Sequence, residues 1–252
     1  MTKQANNQQF IKIFNKLAYR FSPWEVWKDF IVMFACAISN SLDKTHYEER
    51  EALYLKTIQK YNKEERELFP QLAAETVIAL EENQEQDFLG NIFINLGLGN
   101  KSGGQFFTPY HICELMAKVT IGDILPQIKK NSYITVCDPC CGAGATLIAG
   151  IHEIRKQLEG KLNYQNHVLV VAQDIDYTTA LMCYIQLSLL GVAAYIKIGN
   201  TLTEPMCSDD TLANYWYTPM YFSDVWTLRR IFRGTEPVSY THLRAHETEA
   251  DL

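Results

Sequence analysis

Along the chain, the pattern of apolar and polar positions changes period at about residue 130. Before that point the apolar residues recur at helical spacing. Trp24, Trp27, Ile31, Phe34 and Ile38 fall on one stripe, because residues three, four and seven apart share a helix face. Ser22-Pro23-Trp24-Glu25 marks the start, with Ser to cap, Pro in the first helical position and Glu in the third. The stripe predicts core packing. Charged helices are expected around Tyr47 to Tyr61 and from about Glu64 to Glu81, their Glu-rich sides facing water. Asp87-Phe88-Leu89-Gly90 opens a last helical stretch that runs into Gly97 and Gly99. Residues 1–100 thus read as a helical N-terminal domain.

After a helix expected over His111 to Val119, short β-like runs take over. Ile134 to Cys137 ends in Asp138-Pro139. Val168 to Ala172 ends in Gln173-Asp174-Ile175-Asp176, and Ala193 to Ile198 ends in Gly199-Asn200-Thr201-Leu202. A fourth strand is expected near Tyr217 to Val225, the run before it (Leu212 to Tyr217) being a poor buried strand. Strands alternating with helical stretches predict an α/β domain with a parallel sheet. The most telling stretch is Tyr133 to Thr146, where a strand ends in an acidic residue and Pro, and a Gly142-x-Gly144 turn opens a helix. Such a turn presents a nucleotide-like ligand to a helix N-terminus: glycines let the backbone approach closely, and the first N–H groups of the helix lack intrahelical partners.

Four motifs stand in register: Gly104-Gln105-Phe106-Phe107-Thr108-Pro109, Asp138-Pro139-Cys140-Cys141-Gly142-Ala143-Gly144, Gln173-Asp174, and Gly199-Asn200-Thr201-Leu202. Together they resemble the DNA adenine-N6 methyltransferases, in particular the modification subunits of type I restriction–modification systems. Asp87 to Phe93 matches a further D-x-L-G-x-x-[FY] segment of those subunits, which also carry a helical N-terminal domain. The resemblance spans roughly Asp87 to Pro205. It implies a Rossmann-like α/β sheet that binds S-adenosylmethionine (SAM), here over residues 101–236. That domain would be incomplete, since the family's sheet has seven strands. It also implies site roles. Asp138, Pro139, Gly142 and Gly144 would form the SAM loop, with Asp138 accepting from the SAM amino group or orienting the loop. Asp174, rather than Asp176, would take the ribose hydroxyls. Phe107, Thr108 and Pro109 would line the methionine end. Asn200 would lie near the adenine ring of the cofactor, or serve as an ordinary turn residue.

Catalysis in this family needs a [DNS]-P-P-[YFW] loop after the fourth strand, whose polar side chain and Pro carbonyl accept from the adenine amino group while its aromatic ring stacks on the extruded base. The nearest match is Thr218-Pro219-Met220-Tyr221, which lacks the second Pro. Thr218 and Pro219 would then hold the amino group and Tyr221 would stack; an aromatic turn is the competing reading. Two functions follow. One is SAM-dependent transfer of a methyl group to adenine N6 of DNA in a restriction–modification system. The other is a SAM-binding or assembly module without a working base loop. Methylation of a protein glutamine uses a similar loop, but the upstream box favours DNA.

Composition narrows the partners. With 252 residues and 47% hydrophobic content, there is material for an α/β domain and a smaller helical one. The balance of 23 basic to 29 acidic residues gives a net charge of −6, where a free-standing DNA-binding domain would show a basic face. DNA contact is therefore expected to be weak alone, or supplied by a partner such as a specificity subunit. The aromatic residues after Pro205 run into Arg229, Arg230 and Arg233; such a mixture can form a nucleic-acid surface, though a core edge is the simpler reading. The seven Cys are scattered, with no signal peptide and no membrane-spanning run, which suits reduced thiols in a cytoplasmic protein. Cys137-x-x-Cys140 has no second pair, and His242 and His246 have no third ligand, so no metal site is expected. Residues 237–252 resemble translated adaptor sequence and read as a non-native tail.

Overall fold

The computed structural model describes residues 3–99, 107–207 and 210–232. The chain begins with helices α1 (Lys3–Leu17), α2 (Pro23–Asn40), α3 (Tyr47–Ile58), α4 (Lys63–Arg66), α5 (Leu68–Glu82) and α6 (Phe88–Asn95). Ser22 caps α2 by accepting from the Glu25 N–H at 3.2 Å. Asn62 and Glu65 form a reciprocal capping box at α4, so the charged stretch from Glu64 is two helices broken at Glu67. Trp27 and Ile31 are buried, with Phe34 and Ile38 packed against the core. Val26, Phe30 and Met33 are buried as well, so α2 is surrounded on more than one face. Phe10, Phe14, Trp27 and Phe30 meet edge-on or stacked at 5.6–6.4 Å. Each such ring contributes roughly 1.5–3 kcal/mol by burial.

Helices α7 (Tyr110–Thr120) and α8 (Leu125–Asn131) lead into strand β1 (Ile134–Asp138). Then come α9 (Ala145–Leu158), β2 (Val168–Asp174), α10 (Tyr177–Leu189) and β3 (Ala193–Ile198). β1, β2 and β3 are parallel and adjacent in that order. β2 is apolar almost throughout and buried on both faces, as a central parallel strand must be. β1 is an edge strand, with Thr135 and Cys137 exposed. One continuous apolar core runs from Phe10 and Trp27 through α10 to β2 and β3, so the helical segment packs on α10, which in turn covers the sheet. The expected boundary near residue 100 falls outside the described residues.

The fourth strand differs from expectation. It is β4 (Tyr215–Tyr217), three residues long and antiparallel to β3. The expected stretch Tyr217 to Val225 instead forms a 3-10 turn (Pro219–Phe222) and the start of helix α11 (Asp224–Phe232). Pro219, which fixes φ and carries no N–H, ends the ladder. The run before it, expected to be a poor buried strand, contributes β4 with Tyr215 and Trp216 buried. Arg50 of α3 fixes this segment. Its guanidinium donates to the Tyr215 carbonyl at 2.6 Å and to Asp43 at 2.8 Å, and lies 3.9 Å from the Trp216 ring centroid.

Candidate functional site

The three parallel strands end together, and their carboxyl-terminal loops carry the sequence-expected cofactor residues. Asp138 organises its own loop. Its carboxylate accepts from the Cys140 N–H at 3.0 Å and from the Thr146 hydroxyl at 2.5 Å, so it orients the turn that the glycines shape. Gly142 and Gly144 have φ of +52° and +93°, the left-handed region that a side chain disfavours. Gly144 N–H donates to the Cys141 carbonyl at 2.8 Å, and Cys141 N–H donates to Gln173 of β2 at 3.0 Å. The turn opens α9, whose first N–H groups have no partner within the helix.

Asp174, at the end of β2, faces this loop. One oxygen accepts from the Gly142 N–H at 2.7 Å, and the other from the Asp176 N–H at 2.9 Å. Asp176 is used differently, its carboxylate capping α10 by accepting from the Thr179 N–H at 2.8 Å. The two acidic residues are thereby sorted into a loop-facing group and a helix cap. Asn200 lies at the end of β3, where Gly199 N–H donates to the Asp174 carbonyl at 2.9 Å and the Asn200 side chain accepts from Leu202 N–H at 2.9 Å. Its carboxamide oxygen thus makes an ordinary turn. Thr201 reaches back to the Pro139 carbonyl at 2.5 Å. Neither Thr146 nor Thr201 was singled out from sequence; a hydroxyl two residues past the Gly-x-Gly turn is the signal that could have found the first.

Residues 104–106 of the upstream box lie outside the described residues. Phe107 is half-buried and meets Phe93 of α6 at 5.4 Å, which joins the box to the Asp87–Phe93 segment. Thr108 and Pro109 are exposed at the start of α7. Cys113 and Ala117 of α7 pack against Ala145 and Ala149 of α9, which brings the box alongside the loop's helix.

The residues expected to hold adenine are elsewhere. Because β4 runs antiparallel, the turn that follows it lies beside the beginning of β3. Thr218 N–H donates to the Ala194 carbonyl at 3.0 Å. At roughly 3.3 Å per residue, the step from Ala194 to Asn200 separates this turn from the cofactor loops by about 20 Å. Thr218 is also fully buried. Its hydroxyl accepts from Ala194 N–H at 2.8 Å and donates to the Val192 carbonyl at 2.7 Å. Pro219 opens the 3-10 turn. Tyr221 packs tilted against Tyr217 at 4.9 Å, with the Arg230 guanidinium 4.1 Å from its centroid. Thr218, Pro219 and Tyr221 are therefore not brought to the cofactor loop, and their polar and aromatic groups are already engaged. The antiparallel direction of β4 is what sets them apart from the cofactor loop.

The cysteines around the loop are held as thiols. Burial, then the Asp138 carboxylate, pushes Cys137 and Cys140 above the ordinary thiol value. Burial raises Cys113 to about 11. Cys141 is raised by its contact with Cys183, and by burial. Nucleophilic or ligating thiolates are disfavoured in such surroundings. Among the described residues, no group of three or more His, Cys, Asp or Glu could hold a metal ion, and no helix is long and apolar enough to cross a membrane. His242 and His246, and the tail from residue 237, lie outside the described residues.

Comparison with known proteins bears on this loop and its strands. The family model for N-6 DNA methylase matches residues 86–250. The chain belongs to the N-6 DNA methylase family. A methylase subunit of the MpnII type I restriction enzyme from Mycoplasma pneumoniae is 36% identical over 83 residues, covering 33% of this chain and 13% of that relative. The chain thus matches a small part of the relative's length. A solved type I restriction-modification system methyltransferase subunit from Streptococcus thermophilus is 12% identical, with a TM-score of 0.42, covering 83% of this chain and 61% of that one. That likeness is too loose to support the fold, which rests on the strand order and register of this chain itself.

One polar residue at the loop was missed in the sequence. Gln186, in the middle of α10, is fully buried, and its carboxamide touches the turn through the Ala143 carbonyl at 2.9 Å. A lone carboxamide inside the apolar run Ala180 to Leu187 is the signal that could have pointed to it.

Proposed function

We propose that this chain is the SAM-binding part of a DNA adenine-N6 methyltransferase of the restriction–modification type. The observation that carries the reading is the loop from Asp138 to Gly144, tied to Asp174 and open above its glycine. A Cβ placed on Gly142 would meet no heavy atom within 4 Å, so that side of the loop leaves room for a ligand. Asp174 also suits the group. A carboxylate has about four acceptor positions, and the loop and helix N–H groups leave capacity for ribose hydroxyls. Asp138 keeps the turn in shape. Asn200, at the neighbouring strand end, borders the region expected for the cofactor's adenine, and Phe107 that for its methionine portion. Bound there, SAM would supply an electrophilic methyl group on a sulfonium, and the chain's own contribution is to bind and orient it.

The family match and the restriction-enzyme methylase relative support adenine in DNA as the acceptor. No described residue is assigned to hold the adenine, since Thr218 to Tyr221 sit at the far end of the sheet. That placement favours a second reading, in which this chain is a SAM-binding module and the base-holding groups come from elsewhere. A specificity subunit is the partner class expected to supply the DNA sequence preference.

Calorimetric titration of SAM into the full chain tests the first step. Saturable binding that Asp174→Ala weakens by about tenfold or more, or roughly 1.4 kcal/mol, is the expected result. No binding to folded wild-type protein would overturn the cofactor assignment. Transfer of a labelled methyl group to DNA by the same preparation would establish the enzyme, and binding without transfer would favour the module.

A further inference from the structure

Resting on the reading that the 138–144 loop holds SAM, we propose that Asp87 and Gln186 are positioning residues that keep this loop in its cofactor-binding form. Gln186 makes three bonds to two segments remote from its own helix. Its carboxamide oxygen accepts from Leu89 N–H at 3.1 Å. Its amide donates to Asp87 Oδ1 at 2.8 Å and to the Ala143 carbonyl at 2.9 Å. Both amide hydrogens and the oxygen are thereby used. Ala143 stands between the two glycines of positive φ, where the chain has most freedom to flip a peptide. The bond from Gln186 therefore fixes the carbonyl that glycine would otherwise leave loose.

Asp87 acts through Gln186. Its Oδ1 accepts from both the Gln186 amide and the Gly90 N–H, the latter at 2.8 Å. This sets which end of the carboxamide faces the loop. Asp87 and Gln186 are 4% and 0% exposed, and an apolar side chain would fill the α10 position at lower desolvation cost if packing were its only task. Burial raises the Asp87 carboxyl above its ordinary value, partly offset by these two hydrogen bonds. A neutral group accepting at one oxygen satisfies the same geometry. The pair links the segment before the upstream box to the SAM loop without touching the ligand region itself.

The test uses the full chain with Gln186→Glu, Gln186→Leu, Asp87→Asn and Asp87→Ala. SAM affinity is measured by calorimetry across pH, and ligand-free hydrogen exchange is followed in the peptide over residues 139–147. Gln186→Glu places an acceptor against the Ala143 carbonyl. It is expected to lose about tenfold in affinity relative to wild type near about pH 8 and to regain much of it toward about pH 5, as the new carboxyl takes up a proton and donates again. Asp87→Asn keeps the accepting oxygen and should bind within about twofold of wild type, whereas Asp87→Ala should lose affinity and speed loop exchange. Should Gln186→Leu fail to fold, the two Asp87 variants still read the coupling. Wild-type affinity and loop exchange in Gln186→Glu and Asp87→Ala would overturn the positioning role while leaving SAM binding intact. A wild-type chain that binds no SAM would overturn the cofactor reading and this inference with it.

Discussion

The two ends of the parallel sheet are made from the same strands and hold opposite kinds of chemistry. At the carboxyl end, carboxylates and hydroxyls organise bare backbone: Asp138 ties Cys140 and Thr146, and Asp174 ties Gly142. The side of the loop above Gly142 stays open. At the amino end, side chains satisfy one another. The Thr218 hydroxyl is spent on β3, and Tyr221 is enclosed by Tyr217 and Arg230. Both ends carry residues that suit a methyltransferase, yet only one leaves its groups in position to meet a ligand. Residue type marks a candidate; unspent hydrogen-bonding capacity and open space make it a site.

The sharpest way to break this contrast is Gly144→Ala. A Cβ there would lie 2.8 Å from Cys183 Sγ, at φ +93°, so strain and overpacking should destabilise the fold by roughly 2–4 kcal/mol. Chemical denaturation measures it, and an unchanged midpoint would mean the turn has slack. At the other end, Thr218→Val leaves the buried Ala194 N–H without its side-chain acceptor. A loss of about 1–3 kcal/mol in stability, with SAM affinity unchanged, is expected. A drop in affinity without a stability change would return Thr218 to the functional site.

Asp87→Asn should show a smaller effect whose size depends on pH. Because burial raises the carboxyl above its usual 3.8, the native state holds a proton that the unfolded chain releases, and stability falls as pH rises through that window. The variant removes this dependence. It should be more stable than wild type at about pH 8, with the difference vanishing near about pH 4. Melting curves across pH decide it, and parallel curves would mean that folding does not change proton uptake by the Asp87 carboxyl. Smallest of all, Arg230→Ala removes a ring contact and two exposed hydrogen bonds at a partly open surface, for about 0.5–1 kcal/mol. A large loss of DNA affinity in that variant would instead revive the nucleic-acid reading of the aromatic segment. In the structure Arg230 is bonded to the Tyr221 carbonyl at 2.6 Å, and Arg229 stacks on Trp226 at 4.8 Å, the arrangement of a core edge. Arg233 lies outside the described residues.

Much of the site was legible because its determinants are close together in the chain. The strand, acid, Pro and glycine turn of 134–144 each act on neighbours within a few residues, so their order alone predicts the loop. The Ser22 cap and most of the α2 stripe were readable for the same reason, although Trp24, the first residue of the stripe, is exposed. The different surroundings of Asp174 and Asp176 were less local: the first faces the glycine turn and the second caps α10. The position of the Thr218–Tyr221 turn was not legible because a short aromatic strand has no preferred direction of its own.

The sequence by itself determined a helical segment, three β–loop units and a glycine turn fit for a nucleotide-like cofactor, all through backbone preferences acting over short range. Tertiary structure alone decided which way β4 runs, since Arg50 holds it from more than a hundred residues away. It also decided that Gln186, nowhere near the motif in sequence, should hold the carbonyl of Ala143. Hydrogen bonds between distant buried groups form only once packing excludes water, and spacing along the chain does not reveal them.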